Sequence, residues 1–219
     1  GHHHRRHLVT EPLLTTLDAG RYSLGEVLGQ GGMATVYRAY DERLQVWRAV
    51  KVLSMELSNT PDAKAAKPIN LIYLHGDTAS DVMLHSLVRV EEGASVTVLE
   101  TGPAAARFNS VLEVDVATGG EFHHVRAQGR DHERRAVTHC FGRIAGESLF
   151  KSFTLTANGV LTRNECILEI TGDDAVAHVA GACVGDGADF HHDDTVFITH
   201  DALNGESRQV FKKVLRNGA

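Results

Sequence analysis

Apolar and polar positions alternate with a period of two over residues 22–29, 34–40 and 47–53, and Gly29, Gly31 and Gly32 punctuate the first gap. Alternation of this length, broken by glycine, predicts three short antiparallel strands. Residues 58–68 are polar and hold Pro61 and Pro68, two of the four prolines, which predicts a junction over residues 54–66. From residue 67 the texture is again that of strands, now with a longer rhythm. Candidate turn glycines fall at Gly93, Gly119, Gly146, Gly159, Gly172 and Gly185, spaced by 26, 27, 13, 13 and 13 residues. Short β-rich runs lie between them at 95–99, 110–116, 122–125, 152–156, 166–170, 175–179 and 195–200. A spacing near 13 that doubles to 26, with one strand per unit, predicts a mainly β chain built as a β-solenoid. A β-sandwich is the competing architecture, since its turns also recur at short intervals. Residues 207–215 read as a closing helix or strand, with Val210, Phe211, Val214 and Leu215 on one helical face.

Composition narrows the function classes. The 219 residues carry 22 basic against 28 acidic side chains, a net charge of −6, which argues against a generic nucleic-acid binder. Cys140, Cys166 and Cys183 make an odd count without CxxC spacing. A disulfide scaffold or zinc ribbon is not expected, and a reducing cytoplasm is. No apolar run approaches the roughly 20 residues that cross a bilayer, so no membrane partner is expected. Four of the 14 histidines, His2, His3, His4 and His7, crowd the start, and residues 1–20 read as tag or leader.

The sharpest motif is Gly29-Gln30-Gly31-Gly32-Met33-Ala34-Thr35-Val36, followed by Ala49-Val50-Lys51. Glycines at 29 and 31 let a hairpin backbone approach phosphates, and a lysine on the next strand supplies a positive charge to them. Residues 21–53 resemble the opening strands of a bacterial Ser/Thr protein kinase. The resemblance implies a vestigial nucleotide site of Gly29, Gly31, Val36 and Lys51, with Val36 over the adenine and Lys51 on the phosphates. The other kinase motifs do not follow. Gly129-Arg130-Asp131-His132 is out of pattern for a catalytic loop, and Asp189-Phe190-His191 lacks the glycine of a magnesium-binding Asp-Phe-Gly. Phosphoryl transfer needs those groups, so the expectation is a kinase fragment without activity, in a chain that looks like a chimera or fusion.

Residues 67–73, 88–100, 109–116, 190–200 and 206–219 carry a second resemblance. Over 67–219 the chain is similar to the SufB/SufD family of the Suf iron–sulfur cluster assembly machinery, and to SufD more than SufB. The resemblance implies a right-handed parallel β-helix, truncated here, and a non-catalytic scaffold rather than an enzyme, with no cofactor. Its implied partners are SufB, through the β-helix, and the ATPase SufC, through a helical domain that the 219 residues are not expected to contain. Self-association through unpaired strand edges is a further expectation. The alternative reading is a nucleotide-binding, kinase-like protein.

Metal-ligating residue types gather at His191, His192, Asp193, Asp194 and His200, with Cys183 upstream. Imidazole with thiolate suits zinc or iron. Neighbours on a strand point to opposite faces, so at most one of His191 and His192 can join His200. The metal candidates are therefore His191, His200 and Cys183, weighed against the expectation of surface histidines. His123 and His124 diverge in the same way, as do His139 and Cys140, and all three cysteines are expected to be buried and inert. Arg130, Arg134 and Arg135, and Lys212, Lys213 and Arg216, read as solvated basic faces without aromatic platforms.

Overall fold

The period-two alternation of residues 22–53 folds as antiparallel hairpins. The structure, a computed structural model, describes residues 16–17, 20–31, 34–53, 68–73, 81–102, 107–129, 133–187 and 189–217. The leader up to residue 15 and the junction 54–67 lie outside the described residues. Contacts divide the chain into two units, Gly1–Met55 and Glu56–Ala219. In the first, β1 (Thr16–Leu17), β2 (Tyr22–Gln30), β3 (Ala34–Asp41) and β4 (Val46–Leu53) pair in chain order, all antiparallel. Leu17, Tyr22, Ala39 and Val50 form its small core. Asp41 sets the β3–β4 turn, because the backbone N–H groups of Arg43 and Leu44 both donate to its Oδ1 at 3.1 Å.

The second unit is a parallel β-solenoid. One stack contains β6 (Asp81–Val90), β8 (Arg107–Val116), β10 (Arg135–Ile144), β12 (Leu161–Ile170) and β14 (His191–His200). The other contains β5 (Ile69–Ile72), β7 (Ser95–Gly102), β9 (Glu121–Gln128), β11 (Leu149–Ala157), β13 (Val176–Asp186) and β15 (Glu206–Arg216). Among the described residues the pairings within each stack are parallel and without register shifts. Register partners on neighbouring coils are accordingly 26 to 30 residues apart. This is the solenoid that the glycine rhythm predicts, and parallel pairing rules out the sandwich. Among the described residues there is no helix. Residues 206–216 form strand β15, with Phe211 directed inward against Gly181.

Alternate residues of every coil point into the lumen, and the lumen has two unlike ends. At one end, the register stacks Val90, Val116, Ile144 and Ile170 in a single row. They face Phe122 and Phe150, whose rings lie 5.3 Å apart. Burying these side chains contributes about 25 cal/mol per Å² of apolar surface and supplies the driving force for stacking. The other end of the lumen is polar.

The stacked turns explain the glycine spacing. Gly93 and Gly119 both have φ near 68°, and the Gly119 N–H donates to the Gly146 carbonyl at 3.0 Å. A Cβ on Gly172 would collide with the backbone of Gly146. Gly185 departs from its sequence reading, since it lies within β13 and is not a turn residue. It is glycine because the Phe190 ring occupies the place of a Cβ, and Gly187, at φ 101°, makes the turn. Gly172→Ala forces two backbone turns apart and is expected to cost about 1–3 kcal/mol, as overpacking does. Gly129→Ala, with open space around its Cβ, should leave the thermal midpoint within a degree or two. Equal midpoints for the two variants would overturn this account of the rhythm.

Candidate functional site

The polar end of the lumen holds a chain of hydrogen bonds that crosses the coils. Phe122 faces inward on β9, so His124, Arg126 and Gln128 share its face. Glu100 on β7 pairs in register with Arg126, and Thr138 on β10 with Asn164 on β12. Tyr73 donates its hydroxyl to Glu100 Oε1 at 2.7 Å, and Arg126 donates Nε to Glu100 Oε2 at 3.0 Å. Arg126 Nη1 then donates to Thr138 Oγ1 at 2.8 Å, and the Thr138 hydroxyl donates to Asn164 Oδ1 at 2.8 Å. Asn164 Nδ2 donates to Asp194 Oδ1 at 3.1 Å, and Asp194 Oδ2 lies 3.5 Å from Lys213 Nζ. A side branch runs from Thr156 to Gln128 and from Gln128 to Asn164.

His124 is 2% exposed and sits between Ser152 and Glu100, at 2.9 Å from Nδ1 and 2.8 Å from Nε2. The carboxylate can only accept, which assigns the proton to Nε2 and makes Nδ1 the acceptor for Ser152. Burial pushes the imidazole below its ordinary range, the hydrogen bond to Glu100 opposes this, and the Arg126 charge reinforces it. Burial alone would raise Glu100. The Arg126 guanidinium and the donors from His124 and Tyr73 outweigh that and hold it well below the usual carboxylate range. The site is thus an ionised Glu100–Arg126 pair beside a neutral histidine.

Both shifts make the fold sensitive to acid. His124 in the folded chain titrates below the roughly 6.5 of an unfolded histidine, so its contribution is complete above that pH and is lost as pH falls below it. Glu100 contributes fully above about pH 4.3 and loses its contribution as pH falls further. Urea midpoints should therefore drop between pH 7.5 and 5.5. His124→Gln keeps a donor and an acceptor in place and should flatten that drop by up to about 1.4 kcal/mol per pH unit, the limit for one proton. An unchanged slope would exclude His124 as the group. His192, also pushed down by burial, accounts for a residual slope.

The solenoid corrects several sequence expectations. Arg134, read as part of a solvated basic face, is 0% exposed and plugs the lumen. It donates to the Gly129, Ala157 and Asn158 carbonyls and to the Thr162 hydroxyl. His124 and His192 are interior rather than surface histidines, because even-numbered positions of β9 and β14 face the lumen. His191 and His200 lie at opposite ends of β14, about 30 Å apart at roughly 3.3 Å per residue, and both are exposed. Cys183 is buried on β13, so the three metal candidates are not brought together. Among the described residues no cluster of three or more histidine, cysteine, aspartate or glutamate side chains could hold a metal. Glu100, Arg126, Thr138 and Asn164 were missed. The signal available for Arg126 was its parity with Phe122.

In the first unit Gly29 pairs with Val36 and Val36 with Lys51, a row across β2, β3 and β4. Gly31 is exposed just beyond β2, and the Lys51 side chain lies outside what the structure describes. The second unit is of a different class, a parallel β-solenoid that keeps its polar chemistry inside the coils rather than on loops. The chain belongs to the family described as SUF system FeS cluster assembly, SufBD core domain, which matches residues 73–219. Its role is therefore related to iron–sulfur cluster assembly. A 46-residue stretch is 54% identical to a probable serine/threonine-protein kinase of Streptomyces coelicolor, covering 21% of this chain and 7% of that protein. A 45-residue stretch is 49% identical to the probable serine/threonine-protein kinase PknB of Bifidobacterium longum, covering 20% of this chain and 6% of that one. The chain spans less than a tenth of the length of either kinase. Among the described residues no helix is long and apolar enough to cross a membrane.

Proposed function

We propose that the solenoid is a non-catalytic scaffold of the cytoplasmic Suf machinery, docking a SufB-type solenoid through the outward faces of β14 and β15 and reaching the ATPase SufC through that partner. The observation that carries this reading is the apolar character of the outward face of these strands. Phe197 on β14 and Val210 and Val214 on β15 are exposed, and Val214 pairs in register with the exposed Val184 of β13. Contiguous exposed apolar side chains mark an association surface. His124 commits both ring nitrogens to the network, so it has none left to act as a base. Sedimentation velocity of the chain, alone and mixed with a SufB-type protein, tests the proposal. Concentration-dependent self-association or a stable complex is expected, weakened at least tenfold by Val214→Lys. A monomer at all concentrations that forms no complex would overturn it.

The Gly29–Val36–Lys51 row favours a second reading, a nucleotide-binding unit. Titration calorimetry with magnesium and ATP separates the two. Saturable heat that disappears in Lys51→Ala supports nucleotide binding, and no heat supports the scaffold alone.

A further inference from the structure

Beside the polar chain, Cys140 on β10 and Cys166 on β12 stand in register on adjacent parallel strands, both facing inward. The register sets Cys166 directly beside Cys140, and that neighbour together with burial pushes the Cys166 thiol up. The lumen widens next to them into a cavity of ≈ 30 Å³, lined by Arg126, Cys140, Ser152, Thr154, Asn164 and Cys166. That volume accommodates a single ion or water molecule. Arg126 also lines the cavity. It is 5% exposed, and its Nη2 is buried with no hydrogen-bond partner, although Nε and Nη1 are both engaged.

The geometry points to a two-coordinate site for a soft monovalent cation of the copper(I) class, held between the sulfurs of Cys140 and Cys166 with Arg126 Nη2 donating to the thiolates. Three features select this occupant. Parallel strands are about 4.7–4.9 Å apart, and register-paired Cβ atoms keep roughly that separation. A disulfide prefers Cβ atoms about 3.8 Å apart, so the pair is spaced for an atom between the sulfurs rather than for a direct bond. Thiolates select soft metals, and the nearby carboxylates are already engaged. Glu100 bonds Tyr73, His124 and Arg126, and Asp194 bonds Asn164 beside Lys213. A tetrahedral zinc ion would need four ligands and finds two. Finally, two thiolates around a monocation carry one net negative charge, which gives the unpaired guanidinium N–H an acceptor.

Each thiol gives up its proton as its sulfur–metal bond forms, so binding releases two protons per ion and moves no electrons. This site does not depend on the Suf reading, and a chain that fails to associate can still contain it. The test is competition between the reduced full-length chain and a chromophoric copper(I) chelator under anaerobic conditions. One ion per chain is expected, with affinity lowered at least 100-fold in Cys140→Ser and in Cys166→Ser and unchanged in Cys183→Ser. Equal affinity in the Cys140→Ser/Cys166→Ser variant would overturn the site and move the ion to the amino-terminal histidines or Cys183. Should the serine variants not fold, X-ray absorption at the copper edge of the loaded wild-type chain decides. Two sulfur neighbours support the site, and a shell dominated by nitrogen or oxygen overturns it.

Discussion

Arg134→Met is expected to lower folding stability by on the order of 3–5 kcal/mol, whereas Arg135→Met next to it should cost less than about 0.5 kcal/mol. The two arginines are adjacent in sequence but on opposite faces of the chain, one fully buried and one exposed. Arg134 Nη2 donates to the Asn158 carbonyl at 2.6 Å and to Thr162 Oγ1 at 3.1 Å, and both of its terminal nitrogens reach the Ala157 carbonyl. Methionine fills much of the volume but leaves those carbonyls buried without donors, at about 1–3 kcal/mol for each unsatisfied group. Gly159 is part of the same device. Its φ of 98° favours glycine, and a Cβ there would lie 2.7 Å from Arg134 Nη2. Gly159→Ala should therefore destabilise through the same arginine, and its effect should shrink in an Arg134→Met background. Urea denaturation at pH 7.5 gives all four values. Similar small losses for Arg134→Met and Arg135→Met would show that the carbonyl cage contributes little.

The architecture was legible because it repeats. Each coil must place a turn over the turn below, and at Gly146 and Gly172 the backbones approach too closely for a side chain, so the repeat leaves glycines at coil spacing. Strand β10 was harder to see. Its inward positions include Thr138, Cys140 and Gly142, while Phe141 points outward at 39% exposure, so no run of large apolar side chains marks its buried face. The polar lumen was illegible for a different reason. Glu100 and Arg126 look like ordinary surface charges one at a time, and they become partners only after a full coil of chain has returned to its neighbour. Arg134 was misread in the same way, because a run of basic residues suggests solvent until strand parity is known. His191 and His200 show the reverse error. Their proximity in sequence suggested a cluster, but nine residues of extended strand separate them.

Removing either member of the Glu100–Arg126 pair should cost about 3–5 kcal/mol, because each leaves the other as a buried, uncompensated charge. Glu100→Leu strands a fully buried guanidinium, and Arg126→Met strands a carboxylate that still has Tyr73 and His124 as donors. Arg126→Met is therefore the milder of the two. The double variant should be less damaged than the sum of the singles by about 2–3 kcal/mol, since neither charge is then left behind. Recovery stops short of wild type. Tyr73 and His124 lose their acceptor, and Thr138 loses the donor that Arg126 Nη1 provided. The cycle also separates two views of the lumen. If the pair is a coupled unit, the coupling energy is large and Glu100→Gln, which keeps an acceptor oxygen without the charge, still costs several kcal/mol. Additive losses would mean that Arg126 is stabilised by the rest of the hydrogen-bonded chain, and that Glu100 serves Tyr73 and His124 more than the guanidinium.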